Sequence, residues 1–566
     1  MTNEPVSTHD TSRLTVRDYL TQGLRTAVAA LYGSDRASEP VPLEAPTNPD
    51  HGDLSTSLAL SLARQVKQSP RALAETIVRA LAFDPDRVSE VWVAGPGFIN
   101  FRLGPQWLNE TLLEIEAADE RYGACEAGQG QRVQVEFVSA NPTGPLAVSH
   151  GRQAVIGDAI SRLFEWTGSV VTREYYFNNA GRQMTLLTES VYARYMELLG
   201  RPYPFPEDGY EGDYIRDIAQ TIVDQHGGTL VGAAERGELA VFKETAERLM
   251  FEHIKGTLAR LGIVFDVFYN ESDLYETGRV AAVIETFKQR GAAYEKDGAL
   301  WFKATDFGLP QDRVIVKSAT GEPTYRLPDI AYHQHKFERG FDLIVDIFGA
   351  DHHATYQEVI AGLNALGCET SKLKVLIHQF VTLMKDGEQV RMSKRKANFV
   401  TLDELLDEVG PDVVRFFFLM RNMHSHLNFD LNVAKAQSDE NPVYYVQYAH
   451  ARIMSILHHA EEQGIVRLPA ARVDLSLLRA PEEVALIKLL GRLPEIILSA
   501  ATLFEPHRMT TYVREVAATF HPFYHRHRVV TDDRALTQSR LALVNATRIV
   551  LRNGLSVIGV SAPETM

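Results

Sequence analysis

The chain has 566 residues, of which 45% are hydrophobic and 23% charged, with a formal net charge of −15 at pH 7. That balance is too apolar for a disordered chain, and the length points to roughly three or four domains. No apolar run reaches the ~18 residues of a membrane span, no secretory pattern opens the chain, and Cys125 and Cys368 are too few for a disulfide framework, so a cytoplasmic protein is expected. The charge is uneven: residues 441–566 carry 14 Lys and Arg against 11 Asp and Glu, the remainder 44 against 62. A polyanionic partner is therefore not excluded, because phosphate attraction depends on local charge.

In the first hundred residues, LSTSLALSLARQV spaces Leu54, Leu58, Leu62 and Val66 as one helical stripe, with Asp53 or Ser55 as its cap. VWVAGPGFINFRL alternates on either side of Gly95-Pro96-Gly97, a hairpin pattern, and AADERYGACEAGQGQ has the composition of a linker. RVQVEFVS then alternates Val133, Val135 and Phe137 as a strand and runs into the loop Ala140 to Pro145. The next segment places Ile156, Ile160, Leu163 and Phe164 on one helical face. Strand, Gly/Pro loop and helix in that order open a βαβ unit. DLIVDIFGAD and KVLIHQFVTLM have the continuous apolar character of buried parallel strands. A helical insertion is expected over about 189–290, and from Asn441 the spacing is helical almost throughout, predicting a bundle of four or five helices. The fold class expected is α/β: an N-terminal α/β domain (1–118), a doubly wound parallel sheet (130–440) and a C-terminal all-α bundle (441–566).

The chemistry concentrates in two places. A helix starting near His150 aims unpaired N–H groups and its positive dipole end above the sheet, where phosphate is the natural guest. Some 240 residues later, Arg391-Met392-Ser393-Lys394-Arg395-Lys396 forms a basic run suited to a nucleotide's phosphates.

The pair resembles the two signatures of class I aminoacyl-tRNA synthetases, a His-x-Gly-His element opening a helix and a Lys-Met-Ser-Lys loop. More narrowly, VEFVSANPTGPLAVSHGRQAVIGDA, GADHH, RMSKRKANFVTLDEL and NPVYYVQYAHAR resemble bacterial-type arginyl-tRNA synthetases, and the likeness covers nearly the whole chain. It implies a Rossmann-type catalytic sheet, activation of L-arginine by ATP with Mg²⁺, and transfer of arginine to tRNA(Arg). The N-terminal unit would touch the tRNA elbow and the bundle its anticodon. A monomer with no membrane partner and no structural metal is expected. The resemblance gives catalytic roles to His150, Lys394 and Arg391, and ATP contacts to Pro142, Thr143, Gly144, His150, Gly151, Asp351, Met392, Ser393 and Lys394. A guanidinium is best held by paired carboxylates, for which Glu136 and Asp329 are the candidates. Asn141 would take the α-amino group, with Ser139, Tyr325 and His352 beside the substrate. Tyr445, Tyr448, His450 and Tyr524, the last within the aromatic and basic HPFYHRHR, are the tRNA-contact candidates.

The likeness departs at three positions, the mildest being Arg391, which replaces the first lysine of the loop and keeps its charge. Ala147 stands where the family has the first histidine, and Ser149 where it has glycine. Losing one preorganised donor to a developing charge costs about 3–4 kcal/mol, a rate factor of roughly 10²–10³.

Overall fold

The computed structural model describes residues 15–44, 46, 48–179, 181–317, 322–324, 326–350, 355–390 and 400–566. The chain divides into two compact units: one of residues 1–119, 457–491 and 522–547, the other of 120–456, 492–521 and 548–566.

The first unit contains a four-stranded antiparallel sheet, in the order Leu43–Glu44, Leu54–Thr56, Phe98–Leu103, Val88–Ala94. The predicted hairpin is present, and its turn needs glycine: Gly97 has φ +143°, and a Cβ there would meet the Pro70 carbonyl at 2.8 Å. The predicted Leu54–Val66 helix starts later, at Leu58, with Ser57 as its N-cap. Leu54, Ser55 and Thr56 pair instead with Phe101, Asn100 and Ile99, because four-residue spacing does not distinguish a helix face from a sheet position followed by a helix. Asp53 is not the cap. It accepts the Leu103 N–H at 2.8 Å and an ion pair from Lys488 at 2.6 Å. Leu20, Leu24, Leu58, Leu62, Leu73, Ile77, Ile99 and Phe101 form this unit's core.

The second unit is built on five strands: β1 (Arg132–Glu136), β2 (Val170–Phe177), β3 (Val267–Asn270), β4 (Leu343–Gly349) and β5 (Leu373–His378). All are parallel, in the order β5-β4-β1-β2-β3. The order reverses between β1 and β4, and in such sheets ligands bind outside the strand C-termini at that crevice. Helix α1 (Val148–Trp166) crosses from β1 to β2 and buries most of its circumference, which explains why apolar and small residues are spread around it, with Arg152, Gln153 and Asp158 buried among them. Three helices follow, α2 (Arg182–Leu198), α3 (Asp213–His226) and α4 (Ala240–Arg260), with Leu187, Val191, Ile215, Ile222 and Phe242 in their shared core. The insertion is thus shorter than 189–290: Val267–Asn270, only four residues long, already rejoins the parallel sheet as β3. Helix α5 (Arg326–Glu338) precedes β4.

KVLIHQFVTLM is two strands rather than one. Leu373–His378 belongs to the parallel sheet, whereas Val381–Lys385 pairs with Glu388–Gln389 and Leu427–Asp430. After Asn441 the chain forms five helices among the described residues, and these residues divide between the two units. No helix among the described residues is long and apolar enough to cross a membrane.

Candidate active site

The sheet's C-terminal edge opens on a cavity of about 2060 Å³, roughly twice the ~1,000 Å³ upper end of ordinary small-molecule pockets. The backbone leaves β1 at Glu136 and takes two left-handed steps, φ +70° at Val138 and +40° at Ser139. Such conformations cost residues with a Cβ of order 1–3 kcal/mol each. Hydrogen bonds hold them in place: Ser139 Oγ donates to Glu136 Oε1 at 2.8 Å and accepts the Tyr176 N–H at 3.1 Å. Asn141, Thr143 and Gly144 then line the cavity. The insertion fixes this loop twice: the Tyr214 hydroxyl of α3 donates to the Thr143 carbonyl at 2.7 Å, and Asn141 Nδ2 donates to Gln183 Oε1 of α2 at 2.6 Å. Because Gln183 takes the amide nitrogen, Asn141 keeps its Oδ1 as an acceptor, the polarity an ammonium ligand requires.

Helix α1 starts directly after the loop. Its N-cap, Ala147, has no side-chain acceptor to offer the first-turn N–H groups. His150 instead accepts the Ala147 N–H through Nδ1 at 3.1 Å. That bond places the imidazole proton on Nε2, which becomes a donor. Ser149 and His150 both line the cavity. Pro142 and Gly151 are not among the described residues that line it. A Cβ at Gly151 would meet Leu402 Cδ1 at 2.6 Å, so its glycine serves close packing of the helix.

Of the carboxylates that line the cavity, three act on one another at the sheet edge: Glu136, Asp329 of α5, and Glu271, which follows β3. No hydrogen-bond partner of the Asp329 carboxylate lies among the described residues. Burial pushes Asp329 up to about 7, helped by Glu271 and Glu136 and opposed by His333. Burial also raises Glu271, although the Tyr176 hydroxyl donates to its Oε2 at 2.9 Å.

Beneath this wall lies a row of buried charge. Glu174, Glu136 and Asp346 are register partners on β2, β1 and β4, so their side chains leave the same face of the sheet. They are 0%, 3% and 0% exposed. Helix α5 covers them. Lys336, itself 0% exposed, donates to Glu136 Oε2 and to Asp346 Oδ1, the latter at 2.5 Å. Arg339 makes a two-pronged pair with Glu174 at 2.5 and 2.9 Å, and the Tyr332 hydroxyl donates to Glu174 at 2.6 Å. His333 Nδ1 lies 2.7 Å from the Asp329 carbonyl and Nε2 lies 2.8 Å from Asp346 Oδ2. Both partners accept only, so both ring nitrogens carry hydrogen and His333 is an imidazolium. Asp346 and Glu136 accordingly hold the His333 pKa above its ordinary value, against burial and the Lys336 charge. Against burial, Lys336 and His333 hold Asp346 well below the usual carboxylate range. Glu136, His333 and Asp346 bring possible metal-ligand atoms within 4.8 Å of one another. The Lys336 ammonium already fills that cluster, so these residues fit an ion-pair network and not a metal site.

Tyr325, Asp351, His352, Arg391, Met392, Ser393 and Lys394 lie outside the described residues. Among the tRNA-contact candidates, Tyr445 and Tyr448 are half-buried, their ring centroids 4.8 and 6.4 Å from that of His521, and Tyr524 is half-buried beside His525. His450 is 3% exposed and its Nδ1 donates to the Pro563 carbonyl at 2.8 Å, a packing role that removes it from the surface. Sequence reasoning missed Glu271, Glu174, Asp346, His333 and Lys336. A carboxylate inside an apolar strand, the signal that singled out Glu136, is equally present at Glu174 and Asp346.

A parallel sheet reversing at β1 and β4, with a helix starting at that crevice, is a nucleotide-binding architecture, and the comparisons with known proteins identify the class that uses it here as the class I aminoacyl-tRNA synthetases. The family model for the class I (R) tRNA synthetase catalytic domain matches residues 111–417, that for the arginyl tRNA synthetase N terminal domain 18–103, and that for the DALR anticodon binding domain 446–566. Arginine–tRNA ligases of Desulfotalea psychrophila and Salinibacter ruber are 51% and 48% identical to the chain, over 94% and 97% of it and 96% and 100% of their own lengths. The Thermus thermophilus arginyl-tRNA synthetase structure, 23% identical, superposes with a TM-score of 0.75 over 97% of the chain and all of its own, showing a common fold. The chain belongs to the arginyl-tRNA synthetase family.

Proposed function

We propose that the cavity holds L-arginine and ATP together, with the guanidinium against Asp329, Glu136 and Glu271 and the triphosphate at the start of α1. As a member of its family the chain is an arginine–tRNA ligase: it forms arginyl-AMP and pyrophosphate, then passes arginine to the 3′ terminal ribose of tRNA(Arg). The observation that carries the substrate placement is Asp329, a carboxylate at the cavity with no partner among the described residues. A planar, permanently charged guanidinium supplies what it lacks. Asn141 Oδ1 accepts from the α-ammonium, leaving the substrate carboxylate directed at the α-phosphate. Attack there needs no protein nucleophile, and the chain contributes position and charge. His150 Nε2 donates to phosphate, the Thr143–Gly144 backbone lies alongside the nucleotide, and Lys394, with Arg391 in the same loop, balances the departing pyrophosphate. Tyr325 and His352 sit beside the amino acid, and Asp351 beside the adenosine.

Mg²⁺ arrives with ATP, held by phosphate oxygens and water, since the carboxylates behind the wall are already paired with Lys336, His333 and Arg339. The three-part division at 1–118, 130–440 and 441–566 assigns the tRNA elbow to the first part and the anticodon to the last, with Tyr445, Tyr448 and Tyr524 as contacts. Two free cysteines suit a cytoplasmic setting, and a monomer is the state proposed for the chain.

Replacing Asp329 by alanine tests the placement in tRNA aminoacylation. The arginine KM should rise by about 30-fold or more, the loss of a buried charged pair, while the ATP KM moves less than about threefold. Equal losses for both substrates would refute it.

A further inference from the structure

The row Glu174–Glu136–Asp346 carries three negative charges, and α5 returns three positive ones through Arg339, Lys336 and His333. The row is therefore neutral before any substrate arrives. Lys336 is its keystone, the one cation that bonds two strands at once. It ties the end of β1, from which the strained Val138–Ser139 turn departs, to β4 and to the helix that carries Asp329. Asp329, His333 and Lys336 stand at i, i+4 and i+7 on α5, one helical face. His333 adds a second tie, from Asp346 back to the Asp329 carbonyl.

We propose that Lys336 is a positioning residue for arginine: it never touches the substrate, but fixes Glu136 as a carboxylate of set direction and fixes Asp329 relative to it. Both Glu136 oxygens are engaged, one by Lys336 and the other by Ser139, so the side chain cannot turn to follow a ligand. Of Glu136, Glu271 and Asp329, Asp329 is the one without an internal partner among the described residues. The wall thus presents its unpartnered carboxylate at a place determined by Lys336. A wall with freely turning carboxylates would accept cations of many shapes. The inference rests on the arginine placement proposed above.

Removal of Lys336 does not make the wall more attractive to cations. Two buried carboxylates at adjacent register positions, deprived of their shared ammonium, take up a proton, and the total charge is nearly restored. Orientation is what disappears. The test is aminoacylation by Lys336→Met and by the charge-matched double variant Lys336→Met/Asp346→Asn, each with thermal unfolding measured. The double variant removes one cation with one anion, and keeps the test open should the single variant fail to fold. In the folded variant the arginine KM should rise about 10- to 100-fold, the scale of a misplacement near 1 Å, with the ATP KM within about threefold. An unchanged arginine KM in folded protein would overturn the proposal, as would a matched loss in arginine KM, ATP KM and kcat, the mark of a merely structural lysine. If Asp329→Ala also leaves the arginine KM unchanged, the placement of arginine fails. If only the Lys336 variants do so, the placement stands and the positioning role fails.

Discussion

Glu136 and Asp346 are register partners on neighbouring parallel strands, and one ammonium, that of Lys336, is bonded to both. Unpaired, two buried carboxylates so placed would share a proton. Bridged, both have a cation bonded to them, and Asp329 is left at the cavity with no partner among the described residues.

The first prediction concerns pH. Asp329 stands at about 7, raised by burial, and faces Glu271 from the segment after β3, Glu136 from β1, and His333 and Lys336 on its own helix. Guanidinium binding requires the carboxylate. Lowering the pH from 8 to 6 carries Asp329 from mostly ionised to mostly protonated, so the arginine KM should rise about tenfold while the ATP KM stays level. Calorimetry near pH 6.5 should show arginine binding releasing a proton, and no proton release there would remove Asp329 from the role. The sign for stability follows from the same shift. A folded-state value above the unfolded one gives a contribution complete below the ordinary carboxylate range and lost as pH rises through about 7. Bound arginine should restore that loss.

His150 carries the second prediction. With Nδ1 occupied by the Ala147 N–H, only Nε2 can reach phosphate. The glutamine amide reproduces Nε2 in reach and as a donor, so His150→Gln should keep more activity than His150→Ala. The alanine variant should lose about 10²–10³ in kcat, with about 1 kcal/mol of stability as the cap disappears. Single-turnover arginyl-adenylate formation measures the first, denaturant unfolding the second. Equal rates for the two variants would mean that Nε2 is idle.

Legibility in the sequence followed the range of the interactions. The β1–loop–α1 unit was readable because Val133, Val135 and Phe137 alternate and a Gly/Pro loop separates them from a helical period. The order of the sheet was not, since parallel neighbours meet only through long crossovers. KVLIHQFVTLM looked continuous, yet Arg152 draws the chain away from the parallel sheet by donating to the Gln379 carbonyl at 2.7 Å, with Ser425 at 3.1 Å on the same nitrogen. At the site, Glu136 stood out as a charge in an apolar strand. Its counter-ion, 200 residues away on α5, carries no local mark of burial, so the network behind the wall became visible only when the helix was seen lying on the strands.

The third prediction is for Tyr214. Its hydroxyl donates to the Thr143 carbonyl and lies where a Gly144 side chain would stand, 2.9 Å from an added Cβ. Tyr214→Phe removes one bond of about 0.5–1.5 kcal/mol and little else. The ATP KM should rise about two- to tenfold with the thermal midpoint nearly unchanged, whereas Gly144→Ala should be worse, because it forces the ring away. An ATP KM that ignores Tyr214→Phe would show that the insertion does not hold the loop.

The last prediction concerns stability. Asp158, buried on α1, receives Arg415 at 2.5 Å, Arg162 at 2.7 Å and Arg173 at 3.3 Å. Arg415, 1% exposed, also donates to the Leu261 carbonyl at 2.8 Å and the Ile558 carbonyl at 2.9 Å, so this single side chain joins the end of the insertion, α1 and the last residues of the chain. Against burial, Arg415, Arg162 and Arg173 hold the Asp158 carboxyl below its ordinary value. A lowered value stabilises above the unfolded carboxylate range and is lost as pH falls through the folded one, which puts the loss in acid, below about pH 4. Asp158→Asn keeps the shape and leaves Arg415 as a buried charge without its anion, at a cost of about 3–5 kcal/mol. Replacing both, as Asp158→Asn with Arg415→Met, should cost less than Arg415→Met and Asp158→Asn summed, since no orphaned charge remains. Denaturant unfolding of the four proteins in that cycle measures the coupling, and additive losses would show that the pair acts as two independent packing residues.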